Sequence, residues 1–162
     1  MLACLLLLNA AGCVRAGREG PAYAVYYLSE AVDRDLALTP EERTLPEGMD
    51  PVEGLLTLLL EGPESEELTS PIPAGVTLRS WRLEDGVLTV DLSARYAALS
   101  GVALTLADYS VVNTLCRLDG VDAVEITADG DYLPYRDHQR MTDGDAWTLE
   151  EPEEAENGEE GD

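Results

Sequence analysis

Basic residues are scarce in this sequence. Its 162 residues include ten Lys and Arg against 33 Asp and Glu, which gives a formal net charge of -23 at pH 7. Nucleic-acid-binding proteins displace counterions from phosphates with Lys and Arg, and adsorption to anionic lipid depends on the same residues. The charge therefore argues against both kinds of partner. The length predicts one domain, and 45% hydrophobic residues are enough for an ordinary core.

Cysteine and histidine are also few, with three and one in the whole chain. Cys4 and Cys13 lie in the apolar N-terminus, so no even set remains for a disulfide framework. Cys116 lies in a predicted helix, where a free cysteine more often packs as a small apolar residue than acts as a nucleophile. His138 has no orienting partner in the sequence, which favours a surface residue over a general base.

Motifs for metal and cofactor binding are missing. The sequence has no cysteine–histidine zinc spacing, no GxGxxG and no phosphate-binding loop. Asp129-Gly130-Asp131 and Asp143-Gly144-Asp145 hint at calcium loops but lack the further ligands, so hairpin turns explain both better. Carboxylates are too abundant for any one pair to indicate a glycosidase. We therefore expect no enzyme: no catalytic residue, no metal and no cofactor.

The N-terminus has the pattern of a targeting segment. Residues 1–12 are an apolar run shorter than the ~20 residues that span a bilayer, and they resemble a secretory signal peptide. Ala10-Ala11-Gly12-Cys13 resembles a bacterial lipobox, in which Cys13 would be lipidated, although Ala10 replaces the usual leucine and no basic residue precedes the run. An ordinary signal peptide and an apolar N-terminal helix remain alternatives. With a lipid on Cys13, residues 14–21 would be a short linker and the protein would be anchored to the outer face of the cytoplasmic membrane; without it the protein would be secreted.

The first half of the chain predicts strands and a well-punctuated helix. Ala22–Ser29 is rich in Tyr and Val and apolar on both faces, which predicts a central strand. Short strands are expected at Leu36–Thr39 and Arg43–Leu45. Asp50 and Pro51 predict a helix start, with Glu53 completing a capping box, and Gly62-Pro63 predict its end.

A hairpin is predicted around Asp85-Gly86, a favoured two-residue turn. Alternation then gives each strand two faces, with a bulge expected near Val76 and Leu78. The buried band comprises Trp81, Leu83, Leu88, Val90 and Leu92. The wetter face comprises Ser80, Arg82, Thr89 and Asp91, and these four residues are our candidate interaction surface.

The second helix is predicted to open at the capping box Thr105–Asp108 and to end at Asp119-Gly120. Its core face should contain Val111, Val112, Leu115 and Leu118. A strand is expected at Val121–Ala128 with Val124 and Ile126 inward, and a short hairpin should lead to Tyr132-Leu133. We expect a domain over residues 22–133, an extension over 134–148, and a disordered acidic tail over 149–162, in which residues 150–162 have no apolar residue larger than alanine to bury.

Residues 23–130 resemble the GerMN domain, known from sporulation and spore-germination lipoproteins. Order and spacing match along the whole domain, whereas Trp81, Arg82 and Cys116 depart from it. The matching segments are Val25–Ser29, Pro40–Glu47, Leu68–Ser80, Asp85–Ser93, Leu99–Leu115 and Gly120–Gly130.

The resemblance implies an α+β fold of βαββαβ-like order, similar to ring-building domains, with a single small mixed or antiparallel sheet and two helices on one face. It also implies a noncatalytic scaffold that binds envelope or sporulation proteins. Described members carry two such domains in tandem, whereas this chain has room for one. Self-association into a homo-oligomer stays open. A cell-wall or small-ligand binding module outside sporulation is the alternative function, and a wall hydrolase is a third hypothesis that rests on carboxylate supply alone.

Overall fold

The computed structural model describes residues 19–30, 36–134, 136 and 138–145. The N-terminal segment with Cys4 and Cys13 and the acidic tail lie outside these residues. Within them the strands are β1 (Glu19–Glu30), β2 (Leu36–Pro46), β3 (Leu68–Thr69), β4 (Leu78–Glu84), β5 (Val87–Leu92), β6 (Ala123–Ala128), β7 (Asp131–Tyr132) and β8 (Arg140–Met141), and the helices are α1 (Pro51–Glu61) and α2 (Gly101–Leu115).

The first sheet has the order β2-β1-β3. The predicted central position of the first strand is confirmed, and β1 begins at Glu19, within the stretch expected to be a linker. The two short strands predicted around Pro40 are one continuous strand, β2, which pairs antiparallel with β1. Pro40 lies opposite Tyr26, and an edge strand tolerates a residue that donates no hydrogen bond.

Helix α1 begins and ends where its local signals predicted. The Asp50 carboxylate accepts a hydrogen bond from the Glu53 backbone N–H at 3.1 Å, and Pro51 is the first helical residue. Gly62 terminates the helix with φ of 94°, a left-handed conformation that suits glycine. The buried stripe of Val52, Leu55, Leu56 and Leu59 faces the core.

The second sheet runs β4-β5-β6-β7, and β8 also pairs with β6. The predicted hairpin is confirmed: Asp85 and Gly86 turn the chain with φ of 49° and 78°, and Trp81 pairs with Val90. The expected bulge appears as a register shift between Leu78 and Ser80.

The predicted buried band is wrong for its two residues on β4. Leu88, Val90 and Leu92 are fully buried, whereas Trp81 is half-buried and Leu83 is 40% exposed. The reason is that β4 is an edge strand of the second sheet, so its inner face has a neighbouring strand on one side only and is less covered than that of β5.

The predicted start of α2 is also wrong. The helix begins at Gly101, four residues before the proposed capping box. The Thr105 hydroxyl instead donates back to the Gly101 carbonyl oxygen at 3.2 Å, and Asp108 is buried in mid-helix. Of the predicted core face, Val111, Val112 and Leu115 are buried, and Leu118 packs partly buried beyond the helix end.

Helix α2 joins the two sheets because it packs against both β1 and β6. The Ser110 hydroxyl donates to the Tyr26 carbonyl oxygen at 2.6 Å, and the Tyr26 N–H donates to the Thr114 hydroxyl at 3.0 Å. These bonds occupy backbone groups that β1 would otherwise leave unpaired. The α+β class, the two helices and the mixed strand pairing are confirmed, whereas the strands form two sheets instead of the expected single sheet.

Candidate functional site

The candidate site is the outer face of the second sheet, the face directed away from the buried side chains of β5 and β6. Hairpin pairing sets Ser80 opposite Asp91 and Arg82 opposite Thr89, so the four residues of the predicted surface lie together. Parallel pairing of β5 with β6 extends that surface, because Glu125 lies beside Thr89 and Thr127 beside Asp91. We call these six residues the outer face.

Asp91 is the most heavily bonded carboxylate of the outer face. Its Oδ1 accepts hydrogen bonds from the Thr127 hydroxyl and the Gly130 N–H, both at 2.8 Å. Its Oδ2 accepts from Arg79 Nε at 3.2 Å, and Arg79 also pairs with Asp129. Asp91 therefore organises the surface and holds the β6–β7 turn in place.

Glu125 is the second fixed carboxylate. It accepts a hydrogen bond from the Tyr132 hydroxyl at 2.7 Å and one from Arg140 Nε at 3.0 Å. The bond from Tyr132 lowers the pKa of Glu125, and Arg140 adds to that effect against the opposing influence of burial. An ionised carboxylate held in this way is suited to recognition and is a poor general acid near neutral pH.

Two shallow depressions flank Arg82 on this face. One, of about 320 Å³, is lined by Glu84, Thr89, Glu125 and Arg140 in addition to Arg82. The other, of about 300 Å³, is lined mainly by Ser80, Thr89, Asp91, Thr127 and Tyr132. Arg82 itself is 65% exposed and makes one long contact of 3.4 Å with Glu84, so its guanidinium is available to a partner.

The family model described as "Germane: Sporulation and spore germination" matches residues 24–133, about two thirds of the chain. This protein belongs to the Germane family. No curated protein matches its sequence.

Solved structures support the Germane fold. The tandem GerMN domains of the sporulation protein GerM from Bacillus subtilis align with a TM-score of 0.62 and 22% identity, over 76% of this chain and 43% of that one. The first GerMN domain of the same protein aligns with a TM-score of 0.66 and 16% identity, over 77% of this chain and 99% of that one. The chain therefore spans less than half of the tandem structure and corresponds to one of its domains.

The other chemical candidates of this Germane domain are one histidine, one cysteine and two Asp-Gly-Asp motifs. His138 is exposed. Cys116 is a half-buried free thiol, and burial raises its pKa, which disfavours the reactive thiolate. Asp129-Gly130 form the turn into β7 as predicted, whereas residues 143–145 form a 3₁₀ turn instead of a hairpin. No group of three or more His, Cys, Asp or Glu in the described part of the chain is placed to hold a metal ion.

Two side chains that bond to the outer face come from very short strands. Tyr132 lies on β7 and Arg140 on β8, each only two residues long. The Asp129-Gly130 turn predicted the hairpin that leads to Tyr132, whereas a two-residue strand such as β8 carries no readable alternation, so the sequence held no signal for the place of Arg140. Glu125 could have been found, because it lies between two inward residues, Val124 and Ile126.

A buried trio of the Germane domain was missed because its members lie far apart in the sequence. Arg136 binds Asp108 through two bonds, Nε–Oδ2 at 2.7 Å and Nη2–Oδ1 at 2.6 Å, and donates to the Ile126 carbonyl oxygen at 2.6 Å. The Tyr96 hydroxyl donates to Asp108 Oδ1 at 2.8 Å, and burial raises the pKa of Tyr96 further from neutrality. Arg136 lies after β7, in the expected C-terminal extension, and Asp108 lies on α2. The trio therefore fixes that segment to α2.

Within the described residues, no helix is both long and apolar enough to cross a membrane.

Proposed function

We propose that this protein is a noncatalytic, lipid-anchored component of the cell envelope that binds other envelope proteins during sporulation or spore germination. Membership of the Germane family supports the process. The lipobox-like sequence ending at Cys13 supports the anchor on the outer face of the cytoplasmic membrane.

The observation that carries the binding role is the outer face. It presents an exposed arginine, Arg82, between carboxylates that Arg79, Tyr132 and Arg140 hold in fixed positions. Fixed charges of both signs on an open sheet suit recognition of a complementary protein surface, because little side-chain ordering is needed on binding.

The proposed role is tested by cross-linking in sporulating cells of the host, followed by capture of the tagged full chain. We expect recovery of envelope proteins with the native chain and at least a tenfold lower yield with Arg82→Glu. Arg95→Glu is the matched control, because Arg95 is exposed on the 3₁₀ turn after β5, away from the outer face. Equal recovery with both variants, together with normal spores after gene deletion, would refute the proposal.

The anchor has its own test. Mass analysis of the mature N-terminus should find a diacylglyceryl-modified Cys13, and Cys13→Ala should move the protein from the membrane fraction to the soluble one. An unmodified N-terminus at another position would instead indicate that the protein is secreted and carries no lipid anchor.

The alternative function is a cell-wall or small-ligand binding module outside sporulation, and the native chain can also be used to distinguish it from the proposed function. Native chain that co-sediments with purified cell-wall sacculi, in a host that forms no spores, would favour it. The two depressions beside Arg82 would then be the place to look for the ligand, since they contain hydroxyl, carboxylate and guanidinium groups.

A further inference from the structure

The free edge of β4 has its own binding features, separate from the outer face. Among the described strands, β4 pairs with β5 and forms the end of its sheet. Because a two-residue turn is closed by the hydrogen-bonded pair Glu84–Val87, the next hydrogen-bonded pair along the strand is Arg82–Thr89. The backbone groups of the residues in between, Trp81 and Leu83, therefore point away from β5.

The side chains of Trp81 and Leu83 line a groove beneath that edge. The groove measures about 360 Å³, and its other apolar walls are Tyr23 of β1, Val52 of α1 and the pair Leu118 and Val121. Trp81 is half-buried and Leu83 is 40% exposed. The two residues that offer free backbone hydrogen bonds are thus also the two that offer apolar surface.

The ionisable residues of the groove favour a basic occupant. Asp50, Asp119 and Arg117 line it. Arg117 is already engaged, because it donates to the Tyr26 hydroxyl at 3.0 Å and lies 5.7 Å from the centre of that ring. Asp119 is exposed, and the chain's charge of -23 attracts cations at longer range. The same charge opposes pairing with a second copy of the chain.

We propose that the β4 edge and this groove bind an extended segment of a partner protein that carries apolar residues and a lysine or arginine on the same face, at every second position. The segment adds a strand to β4 through the N–H and C=O groups of Trp81 and Leu83. Its apolar side chains fill the groove, and a basic side chain reaches Asp119. This mode of recognition, in which backbone bonds give affinity and side-chain pockets give selectivity, deepens the proposed binding role and rests on it.

The test uses the full chain with Trp147→Phe, which leaves Trp81 as its single tryptophan. The probe is an acetylated and amidated nonapeptide with threonine at the odd positions, valine at positions 2, 4 and 6 and lysine at position 8, titrated while tryptophan fluorescence is recorded. We expect saturable one-to-one binding with a blue shift. Binding should weaken at least tenfold when glutamate replaces the lysine, and at least tenfold when alternate peptide nitrogens are methylated to block strand pairing.

Protein variants assign the binding to this edge. Leu83→Pro removes an outward N–H while the ladder bonds of Arg82 and Glu84 stay, and it should weaken binding of the peptide at least tenfold. Asp119→Asn should weaken it about threefold, whereas Glu66→Gln, an exposed acid on the loop before β3, should leave it unchanged.

Each of the following outcomes overturns the inference, except the last, which concerns the proposed function. Equal binding of the methylated peptide excludes strand addition even if Leu83→Pro fails to fold. Equal effects of Asp119→Asn and Glu66→Gln on peptide binding would mean that the overall charge of the chain, and not Asp119, attracts the peptide. A dimer in sedimentation equilibrium that the peptide does not dissociate assigns the edge to a second copy. Loss of peptide binding with intact envelope capture would refute this site alone, whereas intact peptide binding without envelope capture would refute the proposed function.

Discussion

Two trios of identical chemistry lie in very different surroundings. Asp108, Arg136 and Tyr96 form one, and Glu125, Arg140 and Tyr132 form the other, each with a carboxylate that accepts from both an arginine and a tyrosine hydroxyl. In the first, both charged side chains are 4% exposed. In the second, Arg140 is 63% exposed and Tyr132 is 51% exposed.

The difference shows what burial does to one set of groups. Inside the domain, each charge has lost its water and depends on the others, so removing one leaves an uncompensated charge. On the outer face Glu125 is 14% exposed, but Arg140 and Tyr132 are open to water that can replace their lost contacts, so the pair contributes little to stability. The buried trio therefore fastens the C-terminal segment, whereas the exposed trio keeps charge in a fixed position where a partner can reach it.

A third trio lies between these extremes. Arg43, 9% exposed, contacts Glu41 at 3.2 Å and the Tyr27 hydroxyl at 3.5 Å. Glu41 also accepts the backbone N–H groups of Glu64 and Ser65, and Tyr27 donates to the Leu58 carbonyl oxygen at 2.8 Å. Burial raises the pKa of Tyr27 to about 12. These contacts hold the end of α1 against the first sheet.

The largest effect should follow from Asp108→Asn, which leaves Arg136 buried without its counter-charge. We expect a loss of about 3–5 kcal/mol in the free energy of unfolding, measured by urea denaturation of the full chain at pH 7. The double variant Asp108→Leu with Arg136→Met removes both charges at once and should lose less than the single variant. A single-variant loss below about 1 kcal/mol, the range of exposed pairs, would erase the distinction between the trios.

The buried trio also shows where sequence reasoning stops. Thr105–Asp108 has the spacing of a capping box, a local pattern, and it led to a wrong helix start. The partner that explains Asp108, Arg136, lies 28 residues away, and only the packed fold brings the two together. The Asp85-Gly86 turn and the Asp50-Pro51 start were correct because each is decided within a few residues.

The same distinction between local and distant contacts explains which parts of the candidate site and of the two sheets could be predicted from the sequence. Alternation around the hairpin was enough to place Ser80, Arg82, Thr89 and Asp91 on one face. The separation into two sheets has no such local signal: α2 packs against both, and its Ser110 and Thr114 bond to β1 at Tyr26, 84 and 88 residues away in the sequence. Nothing in the sequence of a helix indicates that two of its polar residues will bond to the backbone of a distant strand.

An intermediate effect is expected for Glu41→Gln, because the amide keeps the shape of the side chain but loses the charge-assisted bonds. We expect a loss of about 1.5–3 kcal/mol at pH 7. Burial opposes ionisation of Glu41, but the N–H groups of Glu64 and Ser65 and the guanidinium of Arg43 outweigh it and lower the pKa from its ordinary 4.5. The stabilisation is therefore complete above that ordinary value and is lost as the pH falls through the lowered pKa.

The measurement for this variant is urea denaturation from pH 7 down to pH 3. The gap between the native chain and Glu41→Gln should be constant near neutrality and should close at the acid end. Glu42→Gln is the control, because Glu42 is exposed on the same strand and should shift stability by no more than about 0.5 kcal/mol. A gap that widens as the pH falls would reverse the assigned direction of the pKa shift.

The smallest effect on stability should come from Glu125→Gln on the outer face. Solvent around Arg140 and Tyr132 limits the expected loss to about 1 kcal/mol or less at pH 7, and a double-mutant cycle with Arg140→Gln should give a coupling energy in the same range. The variant should nevertheless lower the capture of envelope proteins in the cross-linking experiment, since the fixed charge is gone. A stability loss close to that of Asp108→Asn would mean that exposure does not separate the trios, and that Glu125 belongs with the residues that hold the fold together.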